Sequence, residues 1–123
     1  MTVQLSFSKD ENELLPDFRN KISKAESTED VKKVFAQTTG QLLTRIFGDK
    51  IKTEYEDIRL NPAEINGAPA FTVTSNLKDQ PNFVEIWENS DLPHVVGRLA
   101  QTAKNRYKHL EKHPEKTNAK IRM

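Results

Sequence analysis

The sequence predicts an α+β fold, a three- to four-stranded antiparallel sheet with about three helices packed on one of its faces. Three observations carry that expectation. Apolar residues alternate with polar ones near the N-terminus and again between residues 50 and 76. They recur at three- and four-residue spacing in three longer stretches. Clusters of Gly, Pro and Asn fall between these blocks.

Taken in order, Val3, Leu5 and Phe7 alternate with Thr2, Gln4, Ser6 and Ser8, the period of a half-buried strand over residues 2–8. Leu14, Leu15, Phe18, Ile22 and Ala25 then predict a helix over 12–25, with Pro16 placed in its first turn, where a missing N–H costs least. The best-marked element is a helix over 28–47. Ser27 and Thr28 offer N-cap oxygens, and Glu29 and Asp30 place negative charge at the positive end of the helix dipole. Val31, Val34, Phe35, Leu42, Leu43, Ile46 and Phe47 form its apolar face, and Gly48 supplies a left-handed stop.

Beyond Gly48 the period returns to two. Ile51, Thr53 and Tyr55, resumed by Ile58 and Leu60 after a one-residue slip that a bulge would absorb, predict a strand over 50–60. Pro62, Asn66-Gly67 and Pro69 mark a turn, and Phe71 to Thr74 predict an antiparallel partner over 69–76. Residues 83–87, Phe-Val-Glu-Ile-Trp, fit a strand or a short helix, and their β-branched and aromatic content favours the strand. A last helix over 91–113 has Ser90 or Asp91 as cap and Pro93 in its first turn. Its apolar stripe is Leu92, Val95, Val96, Leu99, Ala103, Tyr107 and Leu110, and Pro114 sets its end. The organisation expected is one domain over 1–113 followed by a flexible basic tail over 114–123. If the alternation in the middle misleads and those residues are helical, the fold is mostly α.

Composition narrows the functional classes. The chain of 123 residues has no cysteine, so disulfides, thiolate metal sites and cysteine nucleophiles are excluded, and a reducing, cytoplasmic setting is expected. No apolar run approaches the ~20 residues of a membrane span, and the N-terminus has no basic segment ahead of an apolar one. The formal charge of +1 hides an asymmetry. Residues 1–92 hold 11 Lys/Arg against 16 Asp/Glu, net −5, whereas residues 93–123 hold 8 against 2, net +6. An acidic body with a basic C-terminal quarter attracts partners of opposite sign.

Motifs for chemistry are sparse. His109 and His113 share a helical face at the spacing of two metal ligands, but His94 lies too far along the same helix to complete a site. They read as surface histidines on a basic helix. Glu54 and Glu56 would share one strand face, opposite Tyr55, where exposed carboxylates in a solvated charged surface do not divide acid and base roles. The glycines at 40, 48, 67 and 97 are too scattered for a phosphate-cradling loop. Trp87 reads as a core plug under the last helix rather than an interface anchor. No catalytic, cofactor-binding or metal-binding residue is nominated, and no cofactor is expected.

The strongest remaining feature is the polar face of the last helix. Arg98, Gln101, Asn105, Lys108 and Lys112 recur at three or four residues, with Lys104 beside them, a row suited to phosphates or another anionic partner. The bland reading of that row is a solvated face lying over the acidic body. Three functions fit. The favoured one is a small non-catalytic protein-interaction or adaptor domain, with an unknown protein partner or self-association through its opposite charges. The second is a nucleic-acid-binding accessory protein using the basic helix and tail, and the third is a small enzyme or ligand carrier with a pocket between sheet and helices.

Overall fold

The computed structural model describes residues 6–61 and 70–112. Five helices and one short ribbon run in the order α1 (Ser8–Lys24), α2 (Thr28–Phe47), β1 (Ile58–Leu60), β2 (Phe71–Val73), α3 (Ser75–Lys78), α4 (Pro81–Glu88) and α5 (Leu92–Lys112). The fold is therefore mostly α, and the expected three- to four-stranded sheet is corrected to two strands of three residues each. These pair antiparallel, Ile58 with Val73, Arg59 with Thr72 and Leu60 with Phe71.

Three long helices make the body. α2 packs against α1 and α5, and β1 lies on α2. Its start is set by Ser27, whose hydroxyl accepts the Asp30 N–H at 3.1 Å, and its end by Gly48 at φ 58°, the left-handed stop that its sequence implies. One apolar cluster joins Phe18 and Ile22 of α1, Val31, Phe35, Leu42 and Leu43 of α2, Leu77, Phe83, and Leu92, Val95, Val96 and Leu99 of α5. Burial of this stripe, more than local propensity, stabilises helices of this length. Truncating Phe18, Phe35 or Phe83, each almost fully buried, would cost about 3–5 kcal/mol.

Each departure from the expected elements has a physical reason. The strand expected over 2–8 fails in its described part. Ser8 already belongs to α1, the Ser6 hydroxyl donates to Asp91 Oδ2 at 2.9 Å and the Phe7 N–H to Asp91 Oδ1 at 2.8 Å. The acid at the head of α5 thus holds this segment in place of a ladder. Residues 2–5 lie outside the described residues. α1 begins earlier than expected, which leaves Pro16 inside the helix rather than in its first turn; the Asn12 carbonyl loses its N–H partner there, on an exposed face.

Residues 83–87 are helical, not a strand. Pro81 fixes φ at the first helical position, and Phe83 and Trp87, four apart, stack at 5.2 Å and 25° on one face. That face meets Phe47 at 5.7 Å and Phe71 at 5.9 Å, so Trp87 packs against the core as its sequence context implies. Here aromatic packing outweighs β propensity. The strand expected over 69–76 shortens to 71–73 because residues 75–78 turn into α3. The strand over 50–60 survives only at 58–60, for a reason that belongs to the site below. The Asn66-Gly67 turn, His113 and the basic tail over 114–123 lie outside the described residues. Among the described residues no helix is long and apolar enough to cross a membrane.

Candidate functional site

All six residues expected to meet an anionic partner fall on α5, but the fold gives several of them other work. The Arg98 guanidinium grips Glu11 of α1 with two bonds, Nε to Oε2 at 2.9 Å and Nη2 to Oε1 at 2.7 Å. Glu11 is only 8% exposed, so this fork compensates a carboxylate withdrawn from water. The same hydrogen bond raises the Arg98 pKa above its ordinary value. Gln101 Nε2 donates to Asn105 Oδ1 at 3.0 Å, so the two amides suited to reading base edges pair with each other. Lys104 and Lys108 are half-buried beside them, and the backbone of Lys112 closes the helix. Arg106, not one of the six, donates from Nη2 to the Ala25 carbonyl at 2.7 Å and ties α5 to the end of α1. Arg98 and Arg106 thus tie α5 to α1, while Gln101 and Asn105 pair with each other on the exposed side of their own helix.

A second region has the shape of a binding site. Between α2 and the segment 53–58 lies a groove of about 640 Å³, floored by Leu14, Ala36, Leu43 and Ile58. That volume is within the range of ligand pockets. Gly40 lies in the wall from α2, and a Cβ placed on it would meet nothing within 4 Å. No packing demand explains a glycine there, although it costs the helix about 0.5–1 kcal/mol relative to alanine. At the mouth stands Tyr55, 63% exposed, the one large hydrophobic side chain so exposed among the described residues.

The segment carrying Tyr55 is held by side chains in place of a ladder. The carboxylate of Asp57, 4% exposed, accepts the Glu54 N–H at 2.6 Å, the Thr74 hydroxyl at 2.7 Å and the Asn76 amide at 2.8 Å. Gln80 accepts the Lys52 N–H at 2.7 Å and donates to the Lys52 carbonyl at 2.7 Å, and Asn82 donates to the Lys50 carbonyl at 3.0 Å. These bonds satisfy backbone groups that a strand would have paired, which is why the alternation of 51–55 produces no strand. Glu56 sits at φ 64°, so a tight turn rather than a bulge links Tyr55 to Ile58. Glu54 and Glu56 consequently do not share a strand face opposite Tyr55.

The charged residues lining the groove are Arg45, Glu54, Glu56 and the buried Asp57, and Arg59 Nε donates to the Glu56 carbonyl at 3.3 Å. Arg45, in the last turn of α2, is bound by Glu13 and by Asp10, and the Glu13 hydrogen bond above all raises its pKa. Its charge is therefore matched twice over. Among the described residues no ion pair reaches Glu54 or Glu56. No group of three His, Asp or Glu that could hold a metal occurs among the described residues. Scans against family models, curated proteins and solved structures find no match to this chain.

The sequence offers three faint signals for this site. They are a glycine inside a strongly marked helix, an aromatic between two acids, and a run of amide and hydroxyl residues at 74–82 beside an apolar period. Nothing local links them, because they are 15 to 42 positions apart and meet only in the fold.

Proposed function

We propose that this chain is a protein-interaction module that receives an extended segment of a partner in the groove between α2 and residues 53–58. One observation carries the reading: an exposed Tyr55 stands on a loop fixed by the buried Asp57 network, beside a concave surface with an apolar floor. Tyrosine supplies large amphipathic contact area, and a fixed loop spares a partner the entropy of ordering it. Gly40 supports it too, since an exposed helix backbone in a groove wall lets a ligand approach closely. The cysteine-free composition agrees with a cytoplasmic setting.

The test is selection of a displayed random-peptide library on the immobilised full chain, followed by affinity measurement on Gly40→Leu and Tyr55→Ala. Enriched peptides should bind at least tenfold more weakly to both variants. Enrichment of none, or binding indifferent to Gly40→Leu, overturns the proposal.

A further inference from the structure

Polar side chains on the groove wall of α2 divide into those spent on their own helix and those left over. The Thr39 hydroxyl donates to the Phe35 carbonyl at 3.0 Å and the Thr44 hydroxyl to the Gly40 carbonyl at 3.0 Å. Gln37 and Gln41, both exposed and both lining the groove, bond to nothing among the described residues, whereas the amides of Gln80 and Gln101 are taken up by other residues of the chain. At about 100° per residue, the two glutamines fall about 60° and 100° to one side of Gly40, and Ala36 and Leu43 about 40° and 60° to the other. A segment laid over Gly40 therefore has aliphatic side chains under one edge and two primary amides along the other. Charge asks no single sign of that segment: Glu54 and Glu56 share their stretch of chain with exposed Lys52 and Arg59, and Arg45 is held by Asp10 and Glu13.

Spacing matches these amides to main chain. Four residues of α-helix rise about 6 Å, and two residues of an extended chain rise about 6.6 Å. An extended residue presents its N–H and C=O along one edge and the next residue presents them along the other, so alternate residues meet the same neighbour. A glutamine amide carries both a donor and an acceptor and can answer both groups. Resting on the groove reading above, we infer that Gln37 and Gln41 recognise the main chain of the partner at two residues two positions apart, each donating from Nε2 to a partner carbonyl and accepting a partner N–H at Oε1. The pair selects conformation, and the floor and Tyr55 select side chains. A helical segment has these groups paired along its own axis and offers nothing to the amides. Proline has no N–H to give and is excluded from both positions.

The experiment uses the full chain, its double variant Gln37→Met, Gln41→Met, and a peptide selected on the full chain whose amide links are replaced one at a time by esters, each of which removes one N–H. Methionine matches glutamine in helix propensity, and both positions are exposed, so the urea midpoint should hold. On the wild type, two ester positions two residues apart should each weaken binding by about three- to tenfold, the worth of one hydrogen bond. The unmodified peptide should bind the double variant about tenfold more weakly, and there the same two esters should cost less than about twofold, because their partners are gone. Equal affinity for wild type and double variant, or ester losses unchanged by the double variant, overturns the inference. If under either result the selected peptides still lose affinity in Gly40→Leu, the groove reading stands without it; if no peptide binds, both fall.

Discussion

Two polar surfaces of this chain differ in where their side chains send their hydrogen bonds. On α5, Arg98 turns to Glu11 and Gln101 to Asn105, so groups that could meet a partner bind within the fold. Around residues 53–58 the order is reversed. The inward groups, Asp57, Asn76 and Gln80, do the holding, while Glu54 and Tyr55 are left to solvent and Glu56 is half-buried. A row of charges shows where charge is, whereas availability depends on whether a neighbour has already neutralised it.

Substitutions that sharpen this contrast differ in size. The largest effect is expected for Asp57→Ala, which strips three donors of a buried acceptor and should lower stability by about 3 kcal/mol in urea unfolding. If stability holds, the loop is not fixed by this network. Next comes Arg98→Ala. It leaves Glu11 without its fork, but Arg98 itself is about half exposed, so a loss of about 1 kcal/mol is expected, with the midpoint moving little in Arg98→Lys only if a single cation suffices. No loss would mean that the α5 face is free for partners after all.

Gly40→Ala runs the other way. With nothing within 4 Å of the added methyl, thermal or chemical unfolding should show a gain of about 0.5–1 kcal/mol. A loss would reveal an intramolecular packing role and remove one support of the groove reading. Smallest in stability is Tyr55→Ala, expected within about 0.5 kcal/mol of wild type while peptide affinity falls at least tenfold. A large stability loss would instead make Tyr55 a structural residue.

The helical body was legible because its signals are local. Ser27, Gly48 and the apolar faces of α2 and α5 each act within a few residues, and each appears in the fold as read. The sheet was not legible, for two reasons that also hid the site. Residues 51–55 alternate as a strand does, but side chains from 74–82 take up their backbone groups, a substitution that only tertiary proximity creates. Residues 83–87 have strand composition, but their i,i+4 aromatics find Phe47 and Phe71 on one side. The six residues of the α5 row do lie on one helix, but the partner of Arg98, 87 positions away at Glu11, was not visible from it.

The account rests on the groove rather than α5 being the surface that receives a partner. The most direct test is an amide-shift map of the full chain titrated with a peptide selected on it. The account predicts that shifts cluster at residues 36–44 and 53–58 while Arg98 to His109 stay in place. Shifts running along Arg98, Gln101, Asn105 and Lys108, with residues 53–58 unmoved, would contradict it and return the basic helix to first place.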